Sequence, residues 1–200
     1  IAARLPDWMR PNHLSGVGVI GAAGAGAAYA LSVLDVRWLW AASFLLVVNW
    51  FGDSLDGTLA RVRVIERPRY GYYLDHMIDA FSTAAVGIGI GLSPFVRIEV
   101  ALGLVVVYLM LSVNVYLEST VFHKFKMAYG KIGPTEARIL LIAGNVALVG
   151  ASAWGMLQTA WGEWVTNATA FALGTAMFVV LAIRVGKNLH RLAILEPRRV

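Results

Sequence analysis

Four aspartates stand close together in this chain: Asp53 and Asp56, then Asp75 and Asp79. Spacings of three and four residues place each pair on one face of a helix. The flanking stretches, Trp38 to Phe51 and Phe81 to Leu92, are apolar. Carboxylates held in such surroundings repel one another unless a cation intervenes. Ligands that are all oxygen select a hard divalent ion, Mg²⁺ or alternatively Mn²⁺, and four carboxylates can hold two ions. Gly57, Ala60, Arg61 and Gly71 lie between the pairs. Gly57 and Ala60 remove bulk beside Asp56, and Gly71 removes it one turn before Asp75. The guanidinium of Arg61 can grip a phosphate through two parallel hydrogen bonds.

The full spacing, D-x2-D-G-x2-A-R-x9-G-x3-D-x3-D, resembles the signature of the CDP-alcohol phosphotransferases, integral membrane enzymes that make phospholipid head groups. Asp53, Asp56, Gly57, Ala60, Arg61, Gly71, Asp75 and Asp79 fill every signature position. The resemblance implies that Asp53, Asp56 and Asp75 bind the metal and that Asp79, close to it, is the general base. It assigns Asp56, Gly57, Ala60, Arg61, Gly71 and Asp75 to the nucleotide. The implied reaction transfers a substituted phosphate from a CDP-alcohol, of the CDP-diacylglycerol or CDP-choline/ethanolamine type, to an acceptor alcohol, at least one of the two being a lipid, with release of CMP. A homodimer is also implied. The competing reading is a membrane cation transporter using the same carboxylates. A transport site, however, does not require two glycines, an alanine and an arginine at these offsets.

The elements that must position these residues are membrane helices. Apolar residues make up 58% and charged residues 14%, with a mean hydropathy of +0.67. That balance predicts an all-α multispanning membrane protein with one domain. With no cysteine there is no disulfide or thiolate metal site. The initial isoleucine reads as the start of a fragment or a processed chain, and Arg4, Pro6, Asp7 and Arg10 interrupt any cleavable signal.

Residues 1–14 read as a short interfacial amphipathic segment carrying Trp8 and Arg10. Six spans follow, over about 15–32, 38–61, 71–92, 98–122, 134–157 and 165–185, with an aromatic turn at 161–164 and a basic cytoplasmic tail at 186–200. Asn12 is expected to cap the first span or to lie near the nucleotide. Gly18, Ala22, Gly26 and Ala30 form a small-residue stripe for close helix packing, within the chain or between two copies. Pro134 suits a first helical turn.

Basic residues fall mainly on one side: Arg4 and Arg10, Arg61 to Arg69, Lys124 to Lys131, and Arg184 onwards. Arg37 and Arg97 lie on the other. Both termini and the mouth of the aspartate site are therefore expected in the cytoplasm, of a bacterial or archaeal inner membrane. The net charge of +5 is read as loops facing anionic lipid, with no nucleic-acid partner. Spans 2 and 3 are expected as antiparallel neighbours, with Asp56 and Asp75 forming an outer pair and Asp53 and Asp79 an inner one.

The acceptor side is read from Asn114, Glu118, Glu136 and Arg138. Each can face the aspartates, or Glu136 can serve its helix N-terminus and Glu118 a loop lysine. Gly133 to Glu136 is similar to a stretch in aminoalcohol phosphotransferases, which favours a cationic head group. Lys124, Lys126, Lys131 and Arg138 favour a phosphorylated acceptor. His76 is read as packing, Tyr70, Tyr72 and Tyr73 as an interface belt, and the triplet Asn167–Thr169 as a chance glycosylation match inside a span.

Overall fold

The computed structural model describes residues 1–122, 134–155 and 160–196. Among the described residues six α-helices are present: α1 (Pro11–Leu31), α2 (Trp38–Val62), α3 (Pro68–Gly91), α4 (Ile98–Phe122), α5 (Pro134–Ala153) and α6 (Ala160–Leu195). No strand occurs among the described residues. The four helices α1, α4, α5 and α6 are long and apolar enough to cross a membrane. In α2 and α3 the aspartates and arginines that make the signature also lower the hydropathy.

Several boundaries differ from expectation for local reasons. α1 begins at Pro11, with Arg10 as its N-cap, so Asn12 lies inside the first turn and does not cap it. The preceding segment is a 3-10 turn, Ala2–Arg4, followed by irregular chain. α5 stops at Ala153, short of the expected 157, because Gly155 takes a left-handed backbone (φ +69°). α6 starts early enough to absorb the aromatic turn, and it runs to Leu195 through most of the expected tail. Its 36 residues make a rod of about 54 Å, well beyond a hydrocarbon core of about 30 Å. Asn167 is not idle: its Oδ1 accepts the Arg97 N–H at 2.9 Å, just before α4 begins.

The larger correction concerns α2 and α3. They pack on α1 and not closely on each other, while α5 packs on α2, α4 on α3 and α6 on α4. The reason is the run of small residues on α1. A Cβ on Gly21 would stand 2.6 Å from the Asn49 nitrogen, and one on Gly26 would strike the Ala85 carbonyl. From the other side, a Cβ on Gly52 would meet the Gly18 nitrogen and the Leu14 carbonyl at 2.5 Å, and one on Gly89 would strike Gly26. Backbone therefore meets backbone on both flanks of α1. The stripe serves packing within the chain. Asn49, buried, adds a hydrogen bond from Nδ2 to the Gly18 carbonyl at 2.9 Å.

The core proper lies toward the opposite end of these helices, where Ala25, Ala28, Tyr29, Leu39, Ala42, Leu46, Val86 and Phe95 cluster. In the turn between α1 and α2, Asp35 accepts two or more hydrogen bonds from Arg37. The Arg37 side chain holds the Asp35 carboxyl below its ordinary range.

At the site end, α2 closes with paired turns: Ile65 N–H donates to the Ala60 carbonyl and Val64 N–H to that of Arg61. Val64 takes the left-handed position (φ 55°) that such a stop normally gives to glycine. Arg63 then turns back, donating from Nη2 to the carbonyls of Leu5 and Pro6 at 2.9 Å each, and from Nη1 to that of Met9. The N-terminal segment is thereby fastened beside the mouth.

Gly21→Ala and Gly52→Ala should each destabilise the protein by about 1–3 kcal/mol through overpacking. Gly16→Ala, whose Cβ would meet nothing within 4 Å, should not. Melting temperatures in one detergent compare the three.

Candidate functional site

α2 carries Asp53 and Asp56, and α3 carries Asp75 and Asp79, all four partly buried. Their charges act on one another across the gap between the helices. Each of three carboxylates also has a partner outside the signature. Asp53 Oδ2 is 3.0 Å from Arg138 Nη1, an ion pair with both side chains largely covered (21% and 13% exposed). Asp56 Oδ2 accepts the Ser15 hydroxyl at 2.6 Å, and its Oδ1 accepts the Gly57 N–H. Asp75 Oδ2 is 3.2 Å from His76 Nδ1. The tyrosines Tyr108 and Tyr116 of α4 lie within electrostatic reach of Asp79.

The small signature residues behave unlike those of the α1 interface. A Cβ on Gly71 would meet nothing within 4 Å, and one on Gly57 would meet only the Arg61 guanidinium, at 3.5 Å. Packing does not require glycine at either position, so both leave open space beside the aspartates. Arg61 is exposed and touches Thr58 Oγ1 at 3.3 Å.

Donor chemistry at this site suits a hard divalent cation, since all four side chains offer carboxylate oxygen. Among the described residues, no three of them converge into a ready ligand shell. α2 and α3 pack less closely on each other than on α1, and Asp53 is engaged by Arg138.

Sequence reasoning left several of these contacts unread. Arg138 reaches the aspartates; Asn114 and Glu118 turn elsewhere. Asn114 Nδ2 donates to Glu118 Oε1 at 2.6 Å, Asn188 Nδ2 to the same oxygen at 2.7 Å, and Arg184 Nη2 to Oε2 at 2.9 Å. Glu118 thus ties α4 to α6 through partners on both helices. Glu136 sits exposed in the first turn of α5. The loop lysines Lys124, Lys126 and Lys131, and Gly133, lie outside the described residues. His76 does pack, its ring 4.1 Å from that of Tyr72 and 4.2 Å from that of Tyr116. It also reaches Asp75. Asn12 Nδ2 donates to Tyr70 Oη at 3.0 Å, and Arg67 stacks over the Tyr70 ring. Tyr70 and Tyr72 are therefore engaged in the mouth, while Tyr73 is exposed. Ser15 had no signal of its own. Only its place four residues after Pro11, on the face that meets α2, could have marked it.

A sequence model described as CDP-alcohol phosphatidyltransferase matches residues 8–181. The chain belongs to that family, whose members are transferases of substituted phosphate groups and are generally dependent on a divalent metal. It is similar to the phosphatidylinositol phosphate synthase of Cutibacterium acnes, being 34% identical over 90 residues. That stretch is 45% of this chain and 41% of the relative, so the match spans about two fifths of the relative's length.

Glu118→Ala should destabilise the protein by on the order of 3 kcal/mol, because it removes the acceptor shared by three donors. A melting curve shows this. A residue that only contacted the acceptor substrate would instead raise its KM at unchanged stability.

Proposed function

We propose that this chain is a metal-dependent CDP-alcohol phosphotransferase of phospholipid synthesis, with its site opening to the cytoplasm. The observation that carries the reading is the complete signature on α2 and α3, with Gly57 and Gly71 facing open space and not a neighbouring helix. Room beside charged groups is what a nucleotide diphosphate needs. Asp56, Gly57, Ala60, Arg61, Gly71 and Asp75 bind the CDP part, the Arg61 fork taking phosphate oxygen. Asp53, Asp56, Asp75 and Asp79 would hold Mg²⁺, as one ion or two. When bound, the metal neutralises charge on the diphosphate as its bridging bond breaks. Asp79 takes the proton of the acceptor hydroxyl. That oxygen forms a bond to the β-phosphorus, the bond from this phosphorus to the bridging oxygen breaks, and CMP leaves with the electron pair.

Of the two donor types, CDP-diacylglycerol is favoured, because the similar protein is named for a phosphatidyl product. A phosphorylated acceptor is favoured for the same reason, and because the Glu118 carboxylate is taken up by Asn114, Arg184 and Asn188. It is therefore a poor candidate for holding a cationic head group. α2 and α3, with 25 and 24 residues and lengths of about 36 Å, complete the six spans. A homodimer stays in the proposal on the family resemblance alone.

CMP release by the purified protein in lipid and Mg²⁺ tests the reading. CDP-diacylglycerol with inositol phosphate should give CMP, and Asp79→Asn should lower the rate at least about a hundredfold. Silence with CDP-diacylglycerol, CDP-choline and CDP-ethanolamine across an acceptor panel would overturn it, as would full activity in Asp79→Asn. Arg61→Lys keeps the charge and loses the fork, so the KM for the CDP-alcohol should rise more than kcat falls.

A further inference from the structure

We propose that Ser15 and His76, neither of them a signature residue, are positioning residues that fix the orientation of the outer carboxylates, Asp56 and Asp75, for the cation. The inference rests on the function proposed above and extends it to side chains that the signature does not contain.

An aspartate on a helix can swing its carboxylate between several orientations, and one that must meet a metal needs a second contact to choose among them. Donors behind a ligating carboxylate commonly make that choice. For Asp56 the donor comes from another helix. Ser15 is buried (5% exposed) and its Oγ stands 2.6 Å from Asp56 Oδ2. The hydroxyl also lies 3.3 Å from the Pro11 carbonyl. With one hydrogen to give, the shorter and charge-assisted bond takes it. The Gly57 N–H holds the other oxygen. Ser15 reaches Asp56 only because Gly18 and Gly52, about one turn deeper, bring the two backbones together.

For Asp75 the donor is its own neighbour, held in turn by α4. The His76 ring lies between Tyr72 and Tyr116. Tyr72 Oη is 3.3 Å from Ser119 Oγ, a second link to α4. A carboxylate has no hydrogen to offer, so the Nδ1 facing it carries one. α4 therefore orients the ring, and the ring orients the carboxylate. In both cases the donor occupies one lone-pair direction of a group that has about four. Coordination directions remain. Asp53 differs, since its partner is the Arg138 cation.

The test titrates the purified chain with Mg²⁺ alone, without any CDP-alcohol, and records the metal-free melting temperature of each variant. Ser15→Ala removes the hydroxyl and Ser15→Thr keeps it. His76→Phe keeps a ring between the tyrosines and removes Nδ1; His76→Asn returns an N–H at that place. Ser15→Ala and His76→Phe should each weaken Mg²⁺ binding about tenfold with unchanged metal-free melting, and Ser15→Thr and His76→Asn should recover most of it. Unchanged affinity in Ser15→Ala and His76→Phe would overturn the proposal. So would Thr and Asn variants as weak as these, a loss that tracks a falling melting temperature, or a parent protein that binds no Mg²⁺. A parent protein that shows the expected pattern of Mg²⁺ affinities yet releases no CMP would overturn the proposed reaction and leave the positioning role standing.

Discussion

Everything at this site depends on how closely α1 approaches its two neighbours. Lipid tails are as apolar as leucine, so helices in a bilayer gain little from burying apolar surface against one another. Association falls to close packing and polar contacts. Gly18, Gly21 and Gly26 on α1, with Gly52 on α2 and Gly89 on α3, leave out the Cβ atoms that would keep the backbones apart. α2 and α3 pack mainly on α1 and meet each other through Asn49 Nδ2 and Ser82 Oγ, 3.5 Å apart. The signature glycines Gly57 and Gly71 have no neighbouring helix against them. One chemical feature, the absence of a side chain, thus has two opposite uses in this chain. In the bundle it lets helices touch, and at Gly57 and Gly71 it keeps room for something else.

The charged groups show the same dependence on tertiary arrangement. A carboxylate withdrawn from water needs a partner. For Asp53 the partner is Arg138 from α5, for Asp56 it is Ser15 from α1, and for Glu118 it is Arg184 and Asn188 from α6. Docking of α5 on α2 and of α6 on α4 is therefore an electrostatic event as well as a packing one. Arg63 adds a fixed N-terminal segment by taking the carbonyls of Leu5, Pro6 and Met9. Around the mouth, Asn12 meets Tyr70 and Arg67 covers the same ring. Residues far apart in sequence close the site that two adjacent helices begin.

Much was legible beforehand. α4 runs from 98 to 122 as expected, and α2 and α5 begin where their aromatic and proline starts place them. Hydropathy and helix-start chemistry are local, so they survive folding unchanged. The errors are of two kinds. α5 ends early because a glycine adopted a left-handed backbone, and α6 runs long because a basic, polar stretch is as good a helix as an apolar one. Hydropathy could not see where the helix leaves the bilayer. The site residues differ: Glu118 and Asn12 were assigned by position along one helix, whereas neighbouring helices supply Arg184, Asn188 and Tyr70 as partners.

By itself the sequence determined an all-helical membrane chain, a carboxylate set of oxygen donors on two consecutive helices, and the family to which that spacing belongs. Those properties follow from composition and from residue intervals within single helices. Only the tertiary structure decided that α1 packs against both α2 and α3, that Gly57 and Gly71 face open space, and which donors hold Asp53, Asp56 and Asp75. Such choices depend on which backbones can approach within contact, and no interval along one helix carries that information.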